Sequence, residues 1–277
     1  MISALNKLKI TKFLNFLKKI NIFNSNALLK NSIVYTNTDN EKLLTEKTSI
    51  EKWLIKHDIL KFELIEDKDY GYVVNVYQHV SLKNKDLKAF KVKFNVINGN
   101  FSCNDNELIS LKGSPHTVNG FFNCSYNNLN NLKGGPHTVN GVFDCSENRL
   151  ISLVGGPTFV SDTYYCDYNN INDLLGIPEK LTNGLYCRHN TLKNLQNGPK
   201  YLSFAMYLTS NKLKTIDIKH LPMFLGDVHI ELKYNESLGE MQEIVKSKSL
   251  LSFLEKRQLN NQINEAETNK KKKIQKI

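Results

Sequence analysis

The chain has 277 residues, 40% of them hydrophobic, and a formal net charge of +10. This composition is sufficient for one elongated core, and it requires no second globular domain. No apolar run reaches the ~18 residues that a membrane-spanning helix needs. Nor do we expect a secretory signal, because lysines interrupt the first twenty residues: Lys7, Lys9, Lys12, Lys18 and Lys19. An intracellular, reducing (cytoplasmic) location is the expectation.

The positive charge is concentrated at the two ends of the sequence. Residues 1–38 contain six Lys and no acid, and residues 241–277 contain nine Lys and Arg against four Glu. Residues 39–240 contain 22 basic and 23 acidic residues. Any electrostatic attraction to nucleic acid or an anionic membrane is therefore expected from the ends.

Residues 1–48 are predicted to form a basic N-terminal helix and a linker. Ile10, Phe13, Leu14 and Leu17 follow helical spacing, with lysines towards the other side. Two interpretations remain open: a helix that packs on the protein, or an amphipathic helix that binds a surface. A mitochondrial-type presequence is a third alternative, although the segment lacks Arg.

Residues 49–79 are predicted to form an N-terminal cap made of a helix and a β-hairpin. Thr48 and Ser49 precede an apolar face that includes Trp53 and Leu54, and the helix is expected to end near Leu60. Two alternating runs then flank an acidic turn at 66–71, which is typical of a hairpin. Such a cap would cover the open edge of the array that follows.

Residues 80–235 repeat with a period of 21 residues. Five cysteines mark the period, and flanking positions in register extend it to about eight coils, anchored at Leu82, the cysteines, Leu208 and Leu232. A fixed period of this length indicates stacked coils. It is too short for a strand plus a long helix. The segments that lead from one strand back to the next, the returns, are therefore predicted to be extended or turn-like. The cysteines are Cys103, Cys124, Cys145, Cys166 and Cys187.

The cysteine column is predicted to be part of the buried core. Disulfide frameworks space their cysteines irregularly, whereas small buried hydrophobes occupy regular columns. Neighbouring sulfurs would lie about 5 Å apart, so oxidation and metal capture are the alternatives.

An asparagine follows three residues after each anchor, from the first cysteine onward. Here the chain must leave the strand, and an amide side chain can satisfy the backbone groups at the bend. The column is therefore predicted to be a structural ladder between coils. It comprises Asn106, Asn127, Asn148, Asn169, Asn190, Asn211 and Asn235.

Residues 236–260 carry an apolar stripe that predicts a helical C-terminal cap. Residues 261–277 are polar, end in a run of lysines and are predicted to be disordered.

The pattern Phe101-x-Cys103-x-x-Asn106-x-Leu108-x-x-Leu111 resembles the leucine-rich repeat, in the short form found in bacterial and bacteriophage-type proteins. The resemblance implies a curved parallel β-solenoid of the α/β class, with little helix within the repeats and a concave face that binds another protein. Some bacterial proteins with similar repeats carry a ubiquitin-ligase domain after them. About 42 residues follow Asn235 here, too few for that domain.

Outward residues of the concave face are the candidate binding site. The position before the anchor changes from Ser102, Asn123 and Asp144 to three tyrosines, and aromatic and Arg side chains accumulate in the positions one and two after the anchor. Exposed aromatic and Arg clusters are frequent binding hot spots. The alternative is that tyrosines merely suit strands and stack on one another. The candidates are Tyr165, Tyr186, Tyr207, Tyr168, Arg188, His189 and Tyr126.

No motif in the chain predicts catalysis, a cofactor or a metal. The Gly-Gly-Pro segments lack the Gly-Lys-Ser/Thr of a phosphate loop, and His116 and His137 have Thr158 in the next coil. The leading hypothesis is a non-catalytic scaffold for protein–protein interaction. The alternative is a module tethered to anionic membrane or nucleic acid through its Lys-rich ends.

Overall fold

The computed structural model describes residues 42–235, apart from 215 and 227, together with 244–246 and the single positions 252, 255 and 262. The predicted N-terminal helix lies outside the described residues, as does nearly all of the Lys-rich tail. No helix among the described residues is both long enough and apolar enough to cross a bilayer.

Helix α1 spans Lys47–Lys56, and a short 3-10 helix spans Ile218–His220. The described strands, in chain order, are β1 Phe62–Asp67, β2 Gly71–Val76, β3 Val80–Ser81, β4 Phe94–Ile97, β5 Phe101–Ser102, β6 Thr117–Val118, β7 Phe122–Asn123, β8 Thr138–Val139, β9 Phe143–Asp144, β10 Phe159–Val160, β11 Tyr164–Tyr165, β12 Lys180–Leu181, β13 Gly184–Tyr186, β14 Tyr201–Leu202, β15 Ala205–Tyr207, β16 Met223–Phe224, β17 His229–Glu231 and β18 Ile244–Lys246.

The strands that precede each anchor form one sheet, in the order β18-β17-β15-β13-β11-β9-β7-β5-β3. From β3 to β17 every neighbouring pair is parallel, and consecutive strands are one coil apart. These eight parallel strands enclose about seven stacked turns. The prediction of a parallel β-solenoid with little helix is confirmed.

The return path of each coil also contains a short strand. One sheet runs β1-β2-β4-β6-β8-β10, and the later coils continue with β12-β14-β16. Apart from the hairpin, these strands pair in parallel, as in Val118 with Val139. Their apolar members, such as Val118, Val139 and Val160, are buried. The predicted extended returns thus form a second wall of the solenoid.

A helix and a hairpin precede the first coil. Ile50 and Leu54, one helical turn apart, are buried, and the ring Nδ1 of His57 lies 2.8 Å from the carbonyl oxygen of Trp53 at the helix end. The helix ends at Lys56, before the predicted end at Leu60, which is 52% exposed. Strands β1 and β2 pair antiparallel, and β2 continues into the return sheet through β4.

The inward side chains stack in columns along the solenoid. Two residues before the anchor, Phe101 and Phe122 stack at 5.4 Å, and Phe122 and Phe143 at 5.7 Å. All five cysteines are free and buried. Because side chains alternate across a strand, the residue between these two columns points outward.

Each of the strands that precede an anchor is followed by a left-handed residue, two positions after the anchor. The residues of this column have φ values of 52–57°, a backbone conformation that residues other than glycine adopt infrequently. Its members are Asn84, Asp105, Tyr126, Glu147, Tyr168, His189, Ser210 and Tyr234. The bend turns the chain inward and limits the strands to two or three residues.

The asparagine that follows this bend connects each coil to the one before it. The Nδ2 of Asn127 donates to the carbonyls of Cys124 and Ser125 in its own coil, and to that of Cys103 in the preceding coil. Its Oδ1 accepts from the amide of Leu108, 2.9 Å away. The amides and carbonyls at the bend are therefore paired away from water. Every asparagine of the column, from Asn106 to Asn235, bonds to the preceding coil in this way, through both its Nδ2 and its Oδ1.

The glycine column in the returns allows close contact between coils. Gly155 has φ +87°, and a Cβ there would lie 2.7 Å from the backbone nitrogen of Lys133. Since both the conformation and the space exclude a side chain, glycine suits this turn.

The predicted C-terminal helix over 236–260 is wrong at Ile244–Lys246. This segment is strand β18, which pairs antiparallel with β17, Glu231 lying opposite Ile244. Pairing with the exposed edge of β17 outweighed the helical spacing of the apolar residues. Ser252 and Glu255 are helical, as is Gln262 in the tail that was predicted to lack structure.

Candidate partner-binding face

The outward position before each anchor forms one continuous row across the sheet. Strand register places these residues directly opposite one another from coil to coil. The row is polar in the first coils, aromatic in the next three and acidic in the last. Its members are Ser102, Asn123, Asp144, Tyr165, Tyr186, Tyr207 and Glu231.

The three tyrosines of this row stack on one another. The ring centroids of Tyr165 and Tyr186 are 4.5 Å apart, and those of Tyr186 and Tyr207 are 4.3 Å apart. His229 adds a tilted ring 5.7 Å from Tyr207. All three tyrosines are half-buried, so one side of the stack remains open to solvent. Burial first, and then the hydroxyl of Tyr207, raise the pKa of Tyr186 to about 12.

Small residues provide the space in which these rings lie. The residue two before each tyrosine points to the same face of the strand, and it is Thr163, Gly184 or Ala205. A Cβ at Gly184 would lie 3.4 Å from Cε2 of Tyr186. The Tyr186 ring therefore lies back over its own strand. Sequence reasoning missed these positions, although small residues two before each tyrosine are a readable signal.

Arg188 is fixed by an ion pair. Its Nη2 and Nε donate to Oδ2 of Asp167 at 2.5 and 3.0 Å, and its backbone N–H donates to Oδ1 at 2.7 Å. The guanidinium carbon is 5.2 Å from the ring centroid of Tyr186 and 5.9 Å from that of Tyr207. The carboxylate of Asp167 raises the pKa of Arg188 above its ordinary value. Arg188 thus contacts two rings of the stack and leaves 37% of its side chain exposed.

The positions one after the anchor were expected to point outward, and this is wrong for half of the eight coils. Asn104, Ser125, Asp167 and Thr209 are all buried. The chain already bends towards its left-handed residue here, so these side chains pack beside the neighbouring coil. The hydroxyl of Thr209, for example, donates to Oε1 of Glu231 in the next coil at 2.6 Å.

Tyr168 and His189 form a second stack beside the first. Both follow their anchors by two residues, and their ring centroids are 4.2 Å apart. Tyr126 belongs to the same column but is separated from Tyr168 by the coil of Glu147, so the structure does not bring it into the stack. We define the tyrosine face as Tyr165, Tyr186, Tyr207, Tyr168, Arg188 and His189.

The cysteines are poorly suited to nucleophilic catalysis or metal binding. Burial raises the pKa of Cys103, Cys124, Cys145 and Cys166. Thiols that stay protonated are weak nucleophiles and weak metal ligands. The thiols of Cys103, Cys145 and Cys166 instead donate to the carbonyls of the next coil at 3.3–3.4 Å.

Two exposed histidines stack on the return side. The rings of His116 and His137 lie 5.2 Å apart, and the hydroxyl of Thr158 is 3.0 Å from Nε2 of His137. Among the described residues, no cluster of three or more His, Cys, Asp or Glu side chains could hold a metal ion.

Comparison with family models, with curated proteins and with solved structures finds no match to this chain.

Proposed function

We propose that this chain is a non-catalytic leucine-rich-repeat protein that binds another protein through its tyrosine face. The main support for the proposal is the change of residue type along the outward row that precedes the anchors. Seven coils share the same asparagine bonds and the same buried columns, yet the outward row changes from small polar residues to stacked tyrosines at Tyr165.

The composition of the face supports protein recognition. Tyr supplies a large contact area with little conformational freedom to lose, and both Tyr and Arg are enriched among measured hot spots. Here the rings are already ordered by stacking and by the Arg188–Asp167 pair. Less entropy is then lost when a partner docks, which favours affinity.

The leucine-rich-repeat type is supported by the asparagine column and the apolar positions that follow it. Asn127, Leu129 and Leu132 illustrate the unit, in which the asparagine bonds the bend and both leucines are buried. Helix α1 with the hairpin, and strand β18, are proposed to cap the two ends of the array, since they cover strand edges that would otherwise be unpaired.

A pull-down with the full-length protein as bait tests the proposal. The double variant Tyr186→Ser, Tyr207→Ser is expected to reduce recovery of bound protein at least tenfold, because loss of a hot-spot aromatic typically costs 2 kcal/mol or more. Ser102→Ala, in the same row of an early coil, is the matched control and is expected to retain binding. Unchanged recovery with the double variant, at native circular dichroism, would contradict the proposal.

The Lys-rich ends favour a second candidate, a module tethered to anionic lipid or nucleic acid. Six Lys without an acid occupy residues 1–38, and four consecutive Lys occupy 270–273. Such binding is expected to weaken steeply as salt rises. Co-sedimentation with anionic and with neutral vesicles tests it, and equal binding to both would count against it.

A further inference from the structure

Three carboxylates surround the first tyrosine of the face. Asp144 lies directly opposite Tyr165 in the strand register. Asp144, Asp162 and Asp167 all raise the pKa of the Tyr165 hydroxyl, after the larger effect of burial. Their charges therefore act on the same small region at the edge of the stack.

The positive charge within this region is already engaged. Arg188 lowers the pKa of Tyr165 and so opposes these effects, and it is bound to Asp167 through two N–H groups. Asp144 and Asp162 form no ion pair with any described residue. Two of the three carboxylates are thus left without a cation.

Asp144 and Asp162 are held in place by neutral donors. The amide of Ser146 donates to Asp144 at 2.9 Å. The Thr163 hydroxyl and the Asn183 side chain donate to Oδ1 of Asp162 at 3.0 and 2.6 Å. These bonds fix the orientation of both carboxylates but do not neutralise them. The second oxygen of Asp162 accepts no hydrogen bond from a described residue, so both residues keep lone pairs for an incoming donor.

The free protein keeps Asp144 ionised at a cost. Burial, followed by the charge of Asp167, raises the pKa of Asp144 above its ordinary value. An Asn would remove this penalty with the same shape. A carboxylate at a position where burial disfavours its charge is typical of a binding site, because binding residues are often less stabilising than a neutral replacement.

The far end of the row has the same sign of charge. Glu231 follows Tyr207 in the register, accepts the Thr209 hydroxyl at 2.6 Å and forms no ion pair within the described residues. The stack therefore runs between carboxylates at both ends, which repels phosphate and carboxylate groups and attracts cations.

We propose that this face binds an extended basic protein segment and that a Lys or Arg side chain of the segment packs on Tyr165 between Asp144 and Asp162. The open face of an aromatic ring attracts a cation, and a guanidinium can bond both flanking carboxylates. This inference rests on the proposed function and adds the chemistry of the partner.

A fluorescence-anisotropy titration of the full-length protein tests the inference. The probe is a labelled peptide in which arginine alternates with serine, compared with the same peptide carrying neutral citrulline in place of arginine. We expect the arginine peptide to bind at least tenfold more tightly. Equal binding of the two peptides would overturn the cation preference.

Variants then locate the peptide. Asp144→Asn with Asp162→Asn is expected to weaken the arginine peptide about tenfold and leave the citrulline peptide unchanged. Tyr165→Leu is expected to weaken it by a similar factor, whereas Tyr165→Phe keeps the ring and should change binding less than twofold. Asp173→Asn removes a carboxylate outside the face and serves as the matched charge control. If it weakens binding as much as the double variant, the attraction is diffuse and the site is wrong.

The outcomes separate this inference from the proposed function. Loss of binding in Tyr165→Leu but not in the Asn variants would keep the protein-binding face and refute the cation site. No effect of any of these variants would refute the cation site, and the Tyr186→Ser, Tyr207→Ser pull-down would still decide the proposed function. A photo-crosslinking residue at 165 that joins the chain's own Lys-rich ends without added peptide would also overturn it, because the occupant would then be internal.

Discussion

The coils anchored at Cys103, Cys124 and Cys145 and those anchored at Cys166, Cys187 and Leu208 have the same backbone and different surfaces. In both groups the anchor is buried and an asparagine bonds the preceding coil. In the early coils the outward row is Ser102, Asn123 and Asp144, and in the later coils it is a stack of tyrosines.

The comparison separates what packing requires from what it permits. Inward positions touch the neighbouring coils on both sides, so a change of volume in one coil is transmitted to the next. Outward positions touch mainly the equivalent positions of adjacent coils. A block of identical aromatic residues at such positions is therefore more informative about function than the perfect period of the cysteines.

The largest expected effect tests whether the two groups share one scaffold. Asn148→Ala and Asn169→Ala each remove three bonds from the amide nitrogen and one to the oxygen. The carbonyls keep a second donor, but the buried amide of Leu129 or of Leu150 is left unpaired. We expect each to lower the free energy of unfolding by about 3–4 kcal/mol. Urea denaturation measures this. A loss in only one of the two variants would show that the groups differ in scaffold as well as surface.

An intermediate effect concerns the buried thiols, which both groups contain. Burial raises the pKa of Cys103, Cys124, Cys145 and Cys166 in the folded chain. Their stabilising effect is complete below the unfolded thiol pKa of about 8.5 and is lost as pH rises above it. From pH 7 to pH 9 the titration of the four thiols should lower the free energy of unfolding by roughly 3 kcal/mol, about 0.8 kcal/mol for each.

Urea denaturation at a series of pH values measures this decline. Cys145→Ala is the control, and it should reduce the slope above pH 8 by about a quarter because one of four titrating groups is removed. An unchanged slope would mean that other groups cause the alkaline loss.

The smallest expected effect distinguishes the two adjacent tyrosines of β11. Tyr165 points outward, whereas Tyr164 continues the inward phenylalanine column, and its hydroxyl is buried without a hydrogen-bond partner. Tyr164→Phe should stabilise the protein by about 1 kcal/mol, because the desolvated hydroxyl is removed. Tyr165→Phe should have little effect. Thermal denaturation of both variants measures the difference, and a lower Tm for Tyr164→Phe would reveal an important contact of its hydroxyl.

Much of the scaffold was predictable from the sequence. The 21-residue period predicted the parallel register and the anchors, since each depends on a local pattern that recurs. The hairpin followed from two alternating runs around one acidic turn. The left-handed column was not predictable from residue type, because Tyr126, Glu147 and Tyr168 are unlike the residues that favour this conformation. The bend is imposed by the asparagine bonds that follow, and those reach across 19–24 residues.

The face was predictable in part. The tyrosine row could be found by reading one position across coils. The engagement of Arg188 by Asp167 could not, because it depends on how far the chain has turned one residue after the anchor. The strand at Ile244–Lys246 was missed because its partner, the edge of β17, is a property of the assembled sheet.

The asparagine bonds also give the array a direction. Each side chain reaches backwards, so the amide of Leu108 is paired only when Asn127 arrives with the following coil. For this amide, each coil is therefore completed by its successor. Synthesis from the N-terminus delivers the coils in this order, and each new coil closes the one before it as the chain leaves the ribosome.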